Sequence, residues 1–145
     1  EHPPAQRHKL FEYVCLIVMT RNGDGHLKNF GLLYTHPDDR VSIRLAPLFD
    51  VVTTSIYALS ETAAGITKYD RTLALKLAKS KQYPDRQTLL DFGRSVCQVD
   101  APELVVERIA DALSATLSAE RERAPAALIE KMRPEWEAGI RSAGA

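Results

Sequence analysis

The chain opens with an apolar face at helical spacing. Leu10, Tyr13, Val14, Ile17 and Val18 recur at three- and four-residue steps, which predicts a helix over residues 5–21. Cys15, Leu16 and Met19 widen the stripe, so this helix is expected to be buried on most sides. Asn22-Gly23-Asp24-Gly25 ends it, because two glycines and two residues that bond nearby backbone break regular structure. The period then falls to two. Phe30 to Tyr34 is a short aromatic and aliphatic run, Thr35 to Asp39 is a turn cluster, and Val41, Ile43 and Leu45 alternate with Ser42 and Arg44. That predicts a β-hairpin with strands over 30–34 and 41–46, ended by Pro47.

Further on the pattern is less decisive. Residues 50–70 fit no single period, and Glu61 to Thr67, with its small residues, reads as a loop. Leu73, Leu75 and Leu77 alternate with Ala74, Lys76 and Ala78, which suits either a short strand or a helix rich in Ala and Leu. Beyond Pro84 the chain reads as helical. Asp85 is placed to cap a helix running to Val96. Asp100 and Glu103 have capping-box spacing around Pro102, and Val105, Val106, Ile109, Ala112, Leu113 and Leu117 form a stripe reaching Glu120. Pro125 and Pro134 divide the rest into helices 125–132 and 134–142, the second anchored by Trp136. The expected fold class is mainly α with a small β-hairpin or sheet, organised as a single domain over 1–145.

Composition narrows the class without choosing a function. Of 145 residues, 45% are hydrophobic and 26% charged, which suits a soluble globular domain able to build a core without staples. Lys plus Arg is 19 and Asp plus Glu is 19, so the formal net charge is zero. A neutral chain lacks the electrostatic footprint of direct nucleic-acid binding. Tyr13 to Met19 is the longest apolar run, far short of the roughly 20 residues a membrane span needs, and no signal cleavage site follows it. Cys15 and Cys97 lie outside any metal spacing and read as buried free thiols, which points to a reducing cytoplasm.

The chemistry is concentrated around the predicted hairpin. Asn29 precedes its first strand and Asp50 follows its second, so antiparallel pairing brings the two together. Asp24, His26 and Lys28 share the loop with Asn29, and all are expected to converge with Asp50 on one patch. Asn29 and Asp50 offer hard oxygen donors of the kind Mg²⁺ takes, with phosphate oxygens and water completing its shell. Asp24, five positions before Asn29, is suited to accept a proton from a substrate hydroxyl, and Lys28 to neutralise a transferring phosphoryl group. Protein kinases divide the work this way: a base Asp, a metal-binding Asn five residues on, and a second metal-binding Asp after a hairpin.

Asn22-x-Asp24-x-His26-x-Lys28-Asn29, the aromatic strand and Leu45-Ala46-Pro47-x-x-Asp50 resemble the C-terminal domain of HipA-like serine/threonine kinases, the toxins of bacterial toxin–antitoxin pairs. The resemblance extends through Leu73 to Leu77 and the helix after Pro84. It implies the helical lobe of a protein-kinase-like fold. Asp24 is then the catalytic base, Asn29 and Asp50 are the Mg²⁺ ligands beside ATP, and His26 and Lys28 stand at motif positions. The implied protein substrate is an aminoacyl-tRNA synthetase, and the implied regulator a HipB-like DNA-binding antitoxin. The sequence contains no Gly-x-Gly-x-x-Gly and no Walker A pattern for the ATP phosphates. The expectation is therefore a fragment of a longer protein, lacking the N-terminal lobe and inactive alone.

Other readings stand beside this one. Asn22 to Gly25 is by itself a common turn. His26 alone is more often structural, orienting the loop through a backbone carbonyl or Asp50. Asp24, His26 and Asp50 could instead hold a transition metal in a hydrolase. A lipid or small-molecule kinase shares the loop, and a non-catalytic module for an antitoxin or a split kinase is the alternative outside enzymes. Lys68, Arg71, Lys76, Lys79, Lys81 and Arg86 read as a solvated face, or as a contact for DNA or an antitoxin. Phe11, Tyr13, Phe30, Tyr34 and Phe49 read as core packing rather than a stacking platform. Ser55, Ser60 and Thr67 are hydroxyls open to phosphorylation.

Overall fold

The computed structural model describes residues 4–39, 41–61, 65, 67–119 and 123–144. Among the described residues, four α-helices and three two-stranded antiparallel sheets make it mainly α with small β elements. Helix α1 spans Pro4–Met19 and buries Phe11, Val14, Cys15, Ile17, Val18 and Met19, as its broad apolar stripe predicts. Around it pack α2 (Arg86–Ser95), α3 (Pro102–Ala119) and α4 (Ala126–Ala143). The core runs from Phe11 and Met19 through Leu89, Val106 and Leu113 to Ala143. Asp85 caps α2, its side chain accepting from the Thr88 amide at 2.9 Å. No helix among the described residues is long and apolar enough to cross a membrane.

The predicted hairpin is present but short. Strands β1 (Leu32–Leu33) and β2 (Arg44–Leu45) pair with Leu32 opposite Leu45 and Leu33 opposite Arg44. Helix α1 fixes it from below. The Leu45 amide donates to Gln6 at 2.7 Å, Lys9 donates to the Leu45 carbonyl at 3.1 Å, and the Tyr13 hydroxyl donates to the Ala46 carbonyl at 2.7 Å. The strands are held through their backbone, and the side chains of Leu32, Leu33 and Arg44 stay exposed. Tyr34 and Phe49 are likewise exposed, against the expectation that they pack in the core.

Two ambiguous stretches resolve as β structure. Residues Leu73 to Leu77 lie in strand β5 (Thr72–Leu77), which pairs with β6 (Ser80–Gln82) and buries Leu73 and Leu77. Before it, β3 (Ala58–Glu61) pairs with β4 (Thr67–Tyr69). The expected loop is their connection, of which residues 62–64 and 66 lie outside the described residues.

A second expectation fails. Pro134 does not divide the C-terminal segment; α4 runs through it. A proline inside a helix removes one backbone bond and crowds the preceding turn, at a cost of about 3 kcal/mol. Packing on both sides of it opposes that cost. Ile129 is buried before it, Gly139 and Ala143 after it, and Trp136 donates to the Thr53 hydroxyl at 2.7 Å.

Candidate active site

The loop after α1 is built around one buried amide. Asn22 is 1% exposed. Its Nδ2 donates to the Asp50 carbonyl at 3.2 Å, and its Oδ1 accepts the Asp24 amide at 3.2 Å. One side chain therefore ties the segment of Asp24 to the segment of Asp50. Arg21 and Asp50 both adopt left-handed backbone, with φ of 56° and 57°. Ordinary residues rarely take that conformation, so the chain turns sharply on either side of this amide.

Asn29 makes the second tie. It sits in a short 3-10 turn (Leu27–Asn29) and is buried. Its Nδ2 donates to Asp50 Oδ2 at 3.1 Å, while its Oδ1 accepts the His26 amide at 3.0 Å. The predicted meeting of Asn29 and Asp50 is thus observed. Asp50 is exposed and offers carboxylate oxygens, while the Asn29 oxygen is engaged by the His26 amide.

The remaining members of the expected patch differ in exposure. Asp24 is exposed and opens onto a cleft of about 310 Å³ lined also by Gly23, Thr54, Tyr57, Leu59 and Asp70. Lys28 is exposed. His26 Nδ1 is buried with no hydrogen-bond partner. Its backbone does the work instead, between Asp24 and Asn29. Among the described residues, no three His, Cys, Asp or Glu side chains come together as a metal-ligand set. Asp24, His26 and Asp50 are therefore not a transition-metal triad. The exposed Asp50 carboxylate is a donor of the kind Mg²⁺ takes alongside phosphate oxygens and water.

A comparison with protein families now finds one match. The model of the HipA-like C-terminal domain matches residues 1–122. The chain belongs to this family. A comparison with curated proteins finds no match. The HipA-like match takes in α1, both loops of the site, the three small sheets, α2 and α3; α4 lies beyond it.

Sequence reasoning found the hairpin pair and missed what holds it. Asn22 opens the motif, yet its type alone also fits a surface turn. Thr54 was missed entirely. It lies in a short 3-10 turn (Thr54–Ile56), and its Oγ1 accepts the Gly23 amide at 2.7 Å and donates to the Arg21 carbonyl at 3.3 Å. Ser55, a candidate for phosphorylation, is 1% exposed and closed to an enzyme in this conformation, whereas Ser60 and Thr67 are exposed. The basic stretch is exposed apart from half-buried Arg86, and it is partly neutralised: Arg71 pairs with Glu135 at 2.7 Å and Arg86 with Glu107 at 3.1 Å.

Burial sets the titration of the groups beneath the loop. Tyr83 stacks on the Arg21 guanidinium, 4.4 Å from its ring centre. Its hydroxyl is pushed up to about 12 by desolvation, and desolvation pulls Arg21 down.

Proposed function

We propose that this chain supplies the catalytic loop and the metal ligands for phosphotransfer from ATP to a protein Ser or Thr hydroxyl. The observation that carries the reading is the Asn29–Asp50 contact at 3.1 Å, with Asp24 five residues upstream on an open cleft. Asp24 takes the proton of the acceptor hydroxyl as the oxygen attacks. Exposure suits that role, because a protein substrate must reach it. Asn29 and Asp50 would hold Mg²⁺, which when bound supplies charge neutralisation to the phosphate oxygens. Lys28, exposed on the same loop, is available to the transferring group. The backbone of His26 keeps the loop compact between Asp24 and Asn29.

The apolar surface beside the site belongs to the same reading. Leu27, Leu32, Leu33, Phe49, Val51 and Val52 are all exposed around the two loops. Apolar side chains gathered like this mark a surface that another element covers. In this proposal that element is a nucleotide-covering lobe, which would bring the phosphate contacts that this chain's sequence lacks. An aminoacyl-tRNA synthetase is the proposed acceptor and a DNA-binding antitoxin the proposed regulator, with the neutral chain leaving DNA contact to that partner. The test is transfer of the ATP γ-phosphate to a panel of synthetases by the full-length protein. Mg²⁺-dependent labelling of one of them supports the proposal. Labelling undiminished in Asp50→Ala would sink the assignment.

A further inference from the structure

Between Arg21 and Asp24 one hydroxyl bonds the backbone at two points. Thr54 Oγ1 accepts the Gly23 amide at 2.7 Å and gives its own proton to the Arg21 carbonyl at 3.3 Å. It therefore closes the residues on either side of Asn22 into one turn. The Gly23 carbonyl is fixed from the opposite direction, accepting the Ala74 amide of β5 at 2.8 Å. There is no slack at Gly23: a Cβ there would lie 2.5 Å from the Thr72 carbonyl and 2.9 Å from Thr54 Oγ1. Asp24 is the next residue, and Thr54 lines the same cleft.

Thr54 is itself braced. Its neighbour Thr53 is buried and accepts the Trp136 indole N–H at 2.7 Å. Six residues further along α4, the Ser142 hydroxyl accepts Arg21 Nη2 at 3.0 Å. Between them Gly139 lies against the backbone at the end of α1, where a Cβ would meet the Met19 carbonyl at 2.1 Å. Helix α4, beyond the family match, thus touches both segments that Thr54 joins.

We infer that Thr54 is a positioning residue for Asp24, and that α4 braces it through the Trp136–Thr53 bond. The role rests on the phosphotransfer reading above. A base must sit within hydrogen-bond reach of the proton it takes, and small misplacements cost rate rather than binding. The threonine hydroxyl sets where Asp24 stands by fixing both backbone groups of the turn that precedes it. Its hydroxyl is engaged by the Gly23 amide and the Arg21 carbonyl, so it acts through that turn.

The experiment compares Thr54→Val, which keeps shape and loses the hydroxyl, with Thr54→Ser, which keeps the hydroxyl. Two readouts are taken on the full-length protein, well below the melting point of each variant. The first is steady-state phosphotransfer. In Thr54→Val kcat should fall about tenfold to a hundredfold, with KM for ATP within about twofold, and Thr54→Ser should restore most of it. Trp136→Phe should move kcat in the same direction by less. The second is hydrogen exchange at the Gly23 amide, which needs no activity. Protection should fall in Thr54→Val, where only the Arg21 carbonyl at 3.2 Å remains as acceptor, and be kept in Thr54→Ser. Should Thr54→Val not fold, Thr54→Ala takes its place in both readouts. Active wild-type protein with kcat unchanged in the hydroxyl-less variant overturns the inference and leaves the phosphotransfer reading standing. Wild-type protein that protects Gly23 yet transfers no phosphate overturns that reading, and the positioning role of Thr54 with it.

Discussion

The Asn29 amide donates to Asp50 Oδ2 across 3.1 Å, joining two residues 21 positions apart in the chain. A second amide, that of Asn22, holds the Asp50 carbonyl at 3.2 Å. Between them the two asparagines keep Asp50 in its left-handed conformation. Asn22 is buried and also receives the Asp24 amide. Asn22→Ala should lower unfolding free energy by about 1–3 kcal/mol, the cost of leaving buried partners unpaired. Urea denaturation measures it. A stability equal to wild type would contradict the bridging role.

Trp136 offers a similar test far along the chain. Replacing it with Phe keeps an aromatic ring and removes the N–H that the Thr53 hydroxyl accepts. Thr53 is buried, so Trp136→Phe should cost about 1–3 kcal/mol by the same measurement. A change below half a unit on that scale would mean that the indole packs without its bond mattering.

Gly139→Ala probes the closest approach of α4 to α1. The added Cβ would lie 2.1 Å from the Met19 carbonyl oxygen, a backbone atom that cannot rotate aside. Overpacking of this kind costs about 1–3 kcal/mol, and here it outweighs the gain in helix propensity. Thermal melting should show a lower midpoint for Gly139→Ala. A raised midpoint would mean that the helices separate freely.

The buried protonated groups predict a loss of stability in alkali. Burial raises Cys97 from 9.0 to about 11 and Tyr83 from 10.0 to about 12, and it pushes Cys15 up as well. Each folded group binds its proton more tightly than the unfolded one. Their contribution is complete below pH 9 and is lost as pH rises through 9 to 12. Denaturation midpoints measured from pH 8 to 11 should fall steadily. Thiol reagents at pH 8 should label Cys15 and Cys97 only as the protein unfolds, and fast labelling of native protein would contradict their burial.

These residues also show what the sequence could carry. The stripe of α1 and the pairing of Asn29 with Asp50 were legible, because a period of 3.6 and an antiparallel hairpin each impose one geometry. Leu73 to Leu77 stayed open because alternating Leu and Ala suit two periods; only pairing with Ser80–Gln82 decides it. Pro134 misled because local cost was weighed without the packing of Ile129, Gly139 and Ala143 on either side. The exposure of Tyr34 and Phe49 escaped a rule that places aromatics inside, since this surface sits beside the candidate site. Asn22 and Thr54 were invisible in their roles, because bonds across 28 and 31 residues leave no local pattern.

The central claim divides labour between a base and a metal-binding pair, and one paired measurement tests it. Mg²⁺-dependent ATP binding and phosphotransfer are followed together in the full-length protein and in its Asp24→Ala and Asp50→Ala variants. Asp24→Ala should bind Mg·ATP normally and lose transfer by about 10²–10⁴-fold, the range for removing a general base. Asp50→Ala should lose both. Normal transfer in Asp24→Ala, or undiminished Mg·ATP binding in Asp50→Ala, would contradict the account.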